Sequence, residues 1–586
     1  MFPKPPVIRF APENDICLCG GRHVVQKTRR KTVLSLTGPF IAHETVRQCQ
    51  DCRRIAGSDT LLGLVPSRCN VAYDVLIFVG LALFQRHRTT EEVRAELVGR
   101  NVRICTSEIA WLGRKFITML ALAHRSATPR IRQTMSLSGG YILHLDATHD
   151  GDAPALMTGI DSLSSIVLGN VKLPSEHADH IVPFLRGLQA DYGAPRACVH
   201  DMGLGICKAV AEVFPGIHDF VCHFHFLRDI GKDFLEPAYD VLRKRLKSHA
   251  ASSRLHALVR EARQGLEQDR DAAPALLVKN ILTGSAIAYP ELLPFTLVYM
   301  LALWALQGKH SGDGYGFPFD RPLLAFAQRL LILNRRLPEF MELLPDDDGR
   351  GRSIFSKLAR ELSAVASDPA LRLAAEELLW RGQLFDCLRE AMRIAPPAGN
   401  NGLNDEGTAE AIASIRQGVM EFRNELEIDP SLSADPLCRK MAEQIDKYGD
   451  RLFADPIEVD APNGKVTIYP QRTNNILEQF FRGIRRAHRR KTGNDSMGRT
   501  LQTMLADTPL VKNLDNPAYM EVLLNGKTSL EERFAELDAT PMVNTADFHA
   551  EFGRMLPGFR TLVTQQTLPE KIIHAAKSQP CLLKSN

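Results

Sequence analysis

The chain has 586 residues, of which 45% are hydrophobic and 24% are charged, and its formal net charge is +4. These values are ordinary for a soluble globular protein, the length is enough for three or four domains, and so mild a charge means that partners must be inferred from local clusters. The most apolar segment, residues 292–308, is short for a membrane span and holds a proline near its start, so we predict a buried core helix instead.

The cysteines and the first residues indicate the compartment. Twelve cysteines are scattered along the chain, and the N-terminus has no charged leader followed by an apolar core. We therefore expect a reduced, cytoplasmic protein.

Two cysteine pairs dominate the first sixty residues. Cys17 and Cys19 precede a β-prone segment, and Cys49 and Cys52 follow it. This pattern is similar to a zinc ribbon, in which four soft ligands close a tetrahedral structural site. The first pair has only one intervening residue, so His23 or His43 is an alternative ligand, and four unrelated thiols are the competing interpretation. We predict a zinc-ribbon-like domain over residues 1–60.

The next segment, residues 61–135, is predicted to be helical. An apolar helix over Tyr73 to Gln85 precedes two amphipathic helices, with Thr89 or Thr90 and Thr106 or Ser107 as candidate N-caps. Two short helices joined by a turn suit a helix-turn-helix whose second helix enters a DNA major groove. The second helix carries the candidate DNA-binding residues Arg114 and Lys115. The same pattern fits any small helical bundle. Residues 128–140 are predicted to be a linker.

Residues 138–233 have the pattern of a mixed sheet. A strand from Tyr141 that ends in Asp146 is followed by two strands in hairpin relation, a helix, a strand that ends in Asp201, a helix and a fifth strand. This is the order of an RNase H-like sheet, in which the first and fourth strands are neighbours. Acids at the ends of both would share one site, and carboxylate oxygens are ligands that Mg²⁺ prefers. After the fifth strand come Cys222 and His225, too few ligands for a separate zinc site.

Residues 234–460 change to long amphipathic helices without a strand pattern, which predicts an all-helical insertion. Residues 461–512 then contain a short strand, a turn at Pro470 and a helix from about Asn475 to Arg490, with Ile476, Phe480, Ile484 and Ala487 on one apolar face. Glu478 lies near the start of this helix. A dense basic cluster follows it and is the electrostatic footprint of a phosphate backbone: Arg482, Arg485, Arg486, Arg489, Arg490 and Lys491. Residues 513–586 are predicted to be a helical tail.

Together these motifs resemble the DDE/RNase H-like transposases of prokaryotic insertion sequences, in the group related to Mutator-like elements. The matching motifs are HLDATHDG, VHDMG, CHFH and TNNILEQFFRGIRR, with a helical insertion between the last two. The resemblance implies a metal-binding triad of Asp146, Asp201 and Glu478, with Cys222 and His225 supporting the site. Asp150 and Asp152 crowd the first motif, and Asp146 is favoured over them because it ends the apolar run.

The resemblance also implies an activity. We expect two catalytic Mg²⁺ or Mn²⁺ ions, cleavage of double-stranded DNA at the ends of the element, strand transfer to target DNA, nucleoid association, and a homodimer or larger assembly on DNA. The alternatives are an RNase H-like nuclease without strand transfer, a repurposed DNA-binding protein without activity, and a helical scaffold with an incidental α/β domain.

Overall fold

The computed structural model describes residues 4–267, 279–280, 282–284, 292–344, 349–395, 409–462 and 464–539. It is a mixed α/β protein that divides into two compact units. The first unit consists of Met1–Tyr141, Leu145–Pro195 and Leu477–Asn586, and the second consists of Ile142–His144 and Arg196–Ile476. The boundary between the units falls inside one strand and inside one helix, so neither unit is a continuous piece of sequence.

The first unit begins with a small sheet. Its strands are β1 (Val7–Phe10), β2 (His23–Val33), β3 (Phe40–Cys49) and β4 (Ile55–Ala56). β3 is central: β1 pairs with it in parallel, and β2 and β4 pair with it in antiparallel fashion. Val33, Phe40 and Ala42 form the centre of a small buried cluster, whereas most of β2 is exposed.

Helices follow in the order α1 (Asp59–Leu64), α2 (Tyr73–Gly80), a π-helix (Leu81–Gln85), α3 (Thr90–Gly99) and α4 (Thr106–Leu137). The N-cap of α3 is Thr89, as predicted, and it forms a capping box with Glu92. The N-cap of α4 is Cys105, one residue before the candidates Thr106 and Ser107.

The predicted linker over residues 128–140 was wrong, because α4 continues to Leu137. Pro129 lies inside this helix, where a missing N–H and a steric clash cost roughly 3 kcal/mol. The side chains of Ile131 and Met135 are buried on the same helix face as the residues before the proline. Their burial offsets that cost, and this compensation is invisible to a reading based on local residue preferences.

The main sheet has the strand order β7-β6-β5-β8-β9. The strands and their helices are β5 (Ile142–Thr148), β6 (Ala155–Asp161), β7 (Ile166–Leu173), α5 (Ala178–Tyr192), β8 (Ala197–His200), α6 (Leu204–Val213) and β9 (His218–Val221). β6 and β7 form the predicted hairpin, and β8 pairs in parallel with both β5 and β9. The prediction that the first and fourth strands are neighbours is confirmed.

Helices dominate the second unit. They are α7 (His223–Ser248), α8 (Ala251–Glu267), α9 (Leu293–Gln307), a 3₁₀ turn (Gly308–His310), α10 (Pro322–Glu342), α11 (Arg350–Ala366), α12 (Pro369–Met392), α13 (Ala409–Ile428), α14 (Pro430–Ala434) and α15 (Pro436–Leu452). The helical part begins at His223 rather than at residue 234. A hairpin of β10 (Ile457–Ala461) and β11 (Gly464–Ile468) follows, and β10 begins within the residues predicted to be all-helical.

The most apolar segment of the chain lies in this helical part. Helix α9 covers the most apolar segment and packs one face into a large helical core, while Trp304 on its other face is exposed. Within the described residues, no helix combines the length and apolar character that crossing a bilayer requires. The Asn- and Gly-rich segment over residues 396–408 lies outside the described residues.

Asp368 is the N-cap of α12, and its side chain is almost fully buried. It accepts hydrogen bonds from the backbone N–H groups of Ala370 and Leu371. It also forms a 2.7 Å ion pair with Arg245 of α7 and a 2.7 Å hydrogen bond with His249, the C-cap of that helix. Burial opposes ionisation of this carboxyl, but the bonds from His249 and Arg245 outweigh it and lower its pKa to about 2. One carboxylate thus links the end of α7 to the start of α12.

The last described elements are α16 (Asn475–Thr492), α17 (Gly498–Thr503), a 3₁₀ segment (Thr508–Asp515), α18 (Pro517–Leu524) and α19 (Leu530–Ala539). Helix α16 begins at the predicted residue and ends two residues later than predicted. The described part of the predicted tail belongs to the core of the first unit: Tyr519 and Phe534 are fully buried, and the Phe534 ring packs on Phe116 of α4. Residues 540–586 lie outside the described residues.

Candidate functional site

Asp146 lies within β5, two residues before the end of the strand, and not at its end as predicted. Its side chain is 9% exposed, and its Oδ1 accepts a 2.8 Å hydrogen bond from the backbone N–H of Ala147. Thr148, which ends the strand, accepts a 3.4 Å bond from the guanidinium of Arg485 in α16. Within the first unit, the strand that carries Asp146 and the helix that carries Glu478 are therefore in contact.

The structure separates Asp146 from the two acids that crowd it in sequence. Asp150 accepts bonds from the Ser496 hydroxyl at 2.9 Å, from the N–H of Met497, and from the N–H of Gly498 at 2.9 Å. The Ser496 hydroxyl, with the Met497 N–H, lowers the pKa of this carboxyl. Asp150 thus holds the start of α17, while Asp152 is exposed.

Asp201 follows β8 and belongs to the second unit. It is half-buried, and its Oδ1 accepts a 3.0 Å bond from the N–H of Gly203, at the start of α6. The last residue pair in the β5–β8 register is His144 with Val199. Asp146 and Asp201 each come two residues after a member of this pair.

A buried histidine that the sequence did not single out supports Asp201. His200 is fully buried; its Nδ1 lies 2.5 Å from the backbone oxygen of Asp201 and its Nε2 lies 2.6 Å from Asp219 Oδ1. The other oxygen of Asp219 forms a 2.6 Å ion pair with Arg451 of α15. Each ring nitrogen of His200 thus lies within hydrogen-bond distance of an oxygen. This chain fixes the backbone at Asp201.

Cys222 and His225 lie at the start of α7, Cys222 as its N-cap, and both are buried. The N–H of Cys222 donates to the backbone oxygen of His200, and its Sγ accepts a 3.1 Å bond from the N–H of Asn474. The Asn474 side-chain oxygen in turn lies 2.9 Å from Nδ1 of His144 in β5. In the second unit, Cys222 therefore connects β8, the residue before α16 and β5.

His223, between the two predicted supporting residues, is also buried in this network. Its N–H donates to the backbone oxygen of Arg472, its Nδ1 lies 3.2 Å from the Arg472 guanidinium, and its Nε2 bonds the Leu452 carbonyl. Burial, with the charge of Arg472, lowers the pKa of His223 to about 3, so the ring is neutral at pH 7. Nε2 then donates to the carbonyl and Nδ1 accepts from the arginine.

Helix α16 carries its charges on one face. Glu478 is half-buried, and residues at intervals of three and four from it share its side of a helix. Exposed arginines occupy that side along the helix: Arg482, Arg485, Arg486 and Arg489. The buried face consists of Leu477, Phe480, Phe481 and His488, so the predicted apolar face is shifted, and Ile476 and Ala487 are only half-buried.

The last two predicted DNA-binding residues of this helix, Arg490 and Lys491, differ in their surroundings. Arg490 is exposed, whereas Lys491 lies over the ring of Phe84, 5.3 Å from its centre, and burial lowers its pKa. Arg489 forms an ion pair with Asp495. The available positive charge therefore lies on the arginines rather than on Lys491.

The candidate helix-turn-helix consists of α3 and α4, but its second helix has 32 residues and is far longer than predicted. Arg114 is exposed, and Lys115 is half-buried with its amino group 5.6 Å from the centre of the Trp111 ring. Trp111 is itself 45% exposed. An arginine, a lysine and an aromatic ring thus share this surface of α4.

The four N-terminal cysteines form a cluster. The sulfurs of Cys17, Cys19, Cys49 and Cys52 all lie within 4.8 Å of one another, and the Cys17–Cys52 and Cys19–Cys49 pairs are each 3.5 Å apart. His23, an alternative ligand, lies 3.0 Å from the backbone oxygen of Asn14 instead. The Arg54 N–H lowers the pKa of the Cys52 thiol, but contacts with the other three thiols raise it to about 12. Four sulfur atoms this close together could hold a metal ion.

Comparison of the sequence with protein-family models and with curated proteins finds no match.

Proposed function

We propose that the chain is a transposase of the DDE/RNase H-like kind, which cleaves DNA at the ends of an insertion sequence and joins those ends to target DNA. The observation that carries this proposal is the face of α16. Glu478 and a row of exposed arginines share that face, and Arg485 bonds Thr148 in the strand that carries Asp146. Helix α16 thus presents a carboxylate beside a row of positive charges, and it contacts the strand that carries Asp146. This arrangement suits phosphodiester chemistry.

The strand order of the main sheet supports the same proposal. β5 and β8 are parallel neighbours, and Asp146 and Asp201 follow their last paired residues by the same number of positions. We propose that these two acids and Glu478 form the catalytic triad.

The donor set fits divalent cations, because carboxylate oxygens are the protein ligands that Mg²⁺ and Mn²⁺ prefer. Two such ions, when bound, activate the attacking oxygen and stabilise the leaving oxygen of an in-line displacement. The Ala147 N–H orients the Asp146 carboxylate, and the Gly203 N–H orients that of Asp201. Buried Cys222 and His225 would support the site through the Asn474 bond and the packing at the start of α7.

The chemistry has two steps. In the first, water attacks a phosphodiester phosphorus and the 3′ oxygen leaves, which frees a 3′-hydroxyl and a 5′-phosphate. In the second, that hydroxyl attacks the phosphorus of a target phosphodiester, and the 3′ oxygen of the target strand leaves with a proton. Both steps need alignment and charge neutralisation. The α16 arginines would hold the DNA backbone beside the cut, while Arg114 and Lys115 would contribute to end recognition. Because two ends must be joined, we propose a homodimer or larger assembly on DNA.

We further propose that the cysteine cluster holds a structural Zn²⁺. A zinc ion with four ligands at about 2.3 Å in a tetrahedron separates its sulfurs by about 3.8 Å. Two of the sulfur pairs here are 3.5 Å apart, and all four sulfurs lie within 4.8 Å of one another. Four protein ligands leave no open coordination position, which suits a structural role.

The second candidate is an RNase H-like nuclease without strand transfer, since the same three acids serve both activities. The long helical part of the second unit favours transposition, because a simple nuclease has little need of it.

Metal-dependent cleavage and joining test the proposal. The substrate is linear DNA that carries the sequences flanking this gene, with Mg²⁺ or Mn²⁺ supplied. The variants Asp146→Asn, Asp201→Asn and Glu478→Gln should bind this DNA but lose cleavage and joining. Asp152→Asn is the matched control, because Asp152 is an exposed acid of the same segment, and it should retain both activities.

The other outcomes separate the rivals. A native protein that cuts but never joins is a nuclease. A native protein that binds the ends with no metal-dependent chemistry is a DNA-binding remnant.

A further inference from the structure

Strand β2 is an unusually exposed edge strand. It has eleven residues, HVVQKTRRKTV, and lies at the edge of the N-terminal sheet. From Val24 to Arg30 every side chain is exposed, whichever face of the sheet it belongs to, and Val25 is 64% exposed.

Positive charge is concentrated on this sheet. β2 contains Lys27, Arg29, Arg30 and Lys31 and no acidic residue. Between residues 4 and 56 there are ten Lys and Arg against four Asp and Glu, so this segment's net charge of +6 exceeds the +4 of the whole chain. Among the described residues, Lys27, Arg29 and Arg30 have no ion-pair partner within 4 Å. Their charge is therefore available to a ligand.

The strand register assigns these cations to both faces of the sheet. Arg29 pairs with Glu44 and Lys27 with Val46, on the face that holds the buried cluster. Arg30 of β2 and Arg9 of β1 both pair with His43 of β3. Paired residues on neighbouring strands share a face of the sheet. Arg9, His43 and Arg30 thus form a row across the opposite face.

Two of the nearby acids have partners outside β2. Glu44 accepts a bond from the backbone N–H of Ser58, where α1 begins, and Asp15 forms an ion pair with Arg47. Lys31 is the exception among the β2 cations, because its amino group donates to the Cys69 carbonyl. Lys27, Arg29 and Arg30 therefore define the basic edge.

We propose that β2 is a DNA-binding edge that enters the major groove of a duplex, with Lys27 and Arg29 toward one phosphate backbone and Arg30 toward the other. Eleven residues at about 3.3 Å each span about 36 Å, close to one turn of B-DNA. The B-DNA major groove, about 12 Å wide, admits a β-ribbon, whereas the deep, narrow major groove of A-form RNA does not. The ligand is therefore duplex DNA.

This inference rests on the proposed function only for the choice of a nucleic acid as the ligand, and the groove dimensions then select DNA. It assigns a contact surface separate from α4 and α16, and it requires no catalysis. Charges on an edge strand also prevent pairing with other strands. If the β2 charges serve only to prevent such pairing, neutralising them should not change DNA binding.

The test compares the full-length native chain with the triple variant Lys27→Gln, Arg29→Gln, Arg30→Gln. The matched control carries Lys244→Gln, Arg335→Gln and Arg372→Gln, three exposed cations on helices of the second unit. Binding to a 30-base-pair fluorescent duplex is measured by anisotropy from 50 to 300 mM salt. Circular dichroism and thermal unfolding verify that each variant is folded.

If three phosphate contacts are lost, the slope of log K against log salt should fall in magnitude by about 2.7, which corresponds to about 500-fold weaker binding at 0.1 M salt. The control should keep the native slope. If the triple variant is unfolded, the single variants Lys27→Gln and Arg30→Gln should each lower the slope by about 0.9.

An unchanged slope in the folded β2 variants would overturn the inference, as would weaker binding to an RNA duplex with unchanged binding to DNA. Failure of the proposed catalytic function has a different signature, since a protein without cleavage activity can still lose DNA affinity when β2 is neutralised.

Discussion

The sharpest stability prediction concerns removal of the metal from the cysteine cluster. Cys49 ends β3, while Cys17 and Cys19 precede β2, so an ion held by all four sulfurs joins the open end of the β2–β3 hairpin. Chelation, or the variant Cys49→Ala, should unfold the N-terminal sheet and leave the second unit folded.

The magnitude follows from the small core of this sheet. Seven buried residues form it: Phe10, Val33, Phe40, Ala42, Leu61, Val65 and Ala72. A core of this size supplies at most about 3–5 kcal/mol, whereas structural zinc sites contribute an apparent 10–16 kcal/mol of binding free energy at pH 7. About half of the metal contribution already matches the most that the core provides, so its loss decides whether the sheet folds.

Hydrogen–deuterium exchange with peptide resolution is the assay, together with release of zinc to a colorimetric chelator. One zinc per chain should be released, and amide protection in residues 23–49 should then collapse while protection in α12 is unchanged. Cys387→Ala is a matched control, because Cys387 is an exposed cysteine outside the cluster.

Persistence of amide protection in β2 and β3 after the metal is removed would refute the reasoning. A protein purified without any bound metal, yet with a protected hairpin, would do the same.

Three further predictions concern DNA binding, metal-dependent cleavage and the stability of the second unit. Arg485→Gln should reduce the magnitude of the slope of log K for DNA binding against log salt by about 0.9. Lys491→Gln should leave this slope nearly unchanged, because Lys491 is held over an aromatic ring. Anisotropy titrations of the two variants measure both slopes. His200→Phe should reduce metal-dependent cleavage by roughly 10- to 100-fold while DNA affinity persists, since the histidine fixes the backbone of the second acid; equal losses of cleavage and DNA affinity would contradict this. Asp368→Asn should destabilise the second unit by about 2 kcal/mol at pH 6 in urea unfolding. Because the folded pKa is depressed to about 2, the native advantage is present above pH 4, shrinks as pH falls and vanishes below about pH 2.

Much of the main sheet could be predicted because its signals are local. Apolar runs bounded by turns located β5, β6, β7, β8 and β9, and their order predicted that the first and fourth strands are neighbours. Cysteine spacing likewise predicted the cluster of four thiols. In each case a few consecutive residues, or a short repeat of one residue type, carry the information.

Other features depend on which surfaces become buried. Residues 128–137 have the proline and serine of a linker, but packing of Ile131 and Met135 extends α4 through them. The tail after residue 513 has no motif, yet Tyr519 and Phe534 complete the core around α4. Such burial is set by side chains distant in sequence.

The sequence by itself determined which residues are chemically able to act: the acids after apolar runs, the paired cysteines and the arginine-rich helix. Tertiary structure decided how those residues are used. Asp150 accepts hydrogen bonds from the start of α17, Lys491 lies over the ring of Phe84, and the cations of β2 remain exposed. The physical reason is that residue type and spacing are properties of a short segment. Solvent exposure and hydrogen-bond partners, in contrast, are set by elements that meet only when the chain folds.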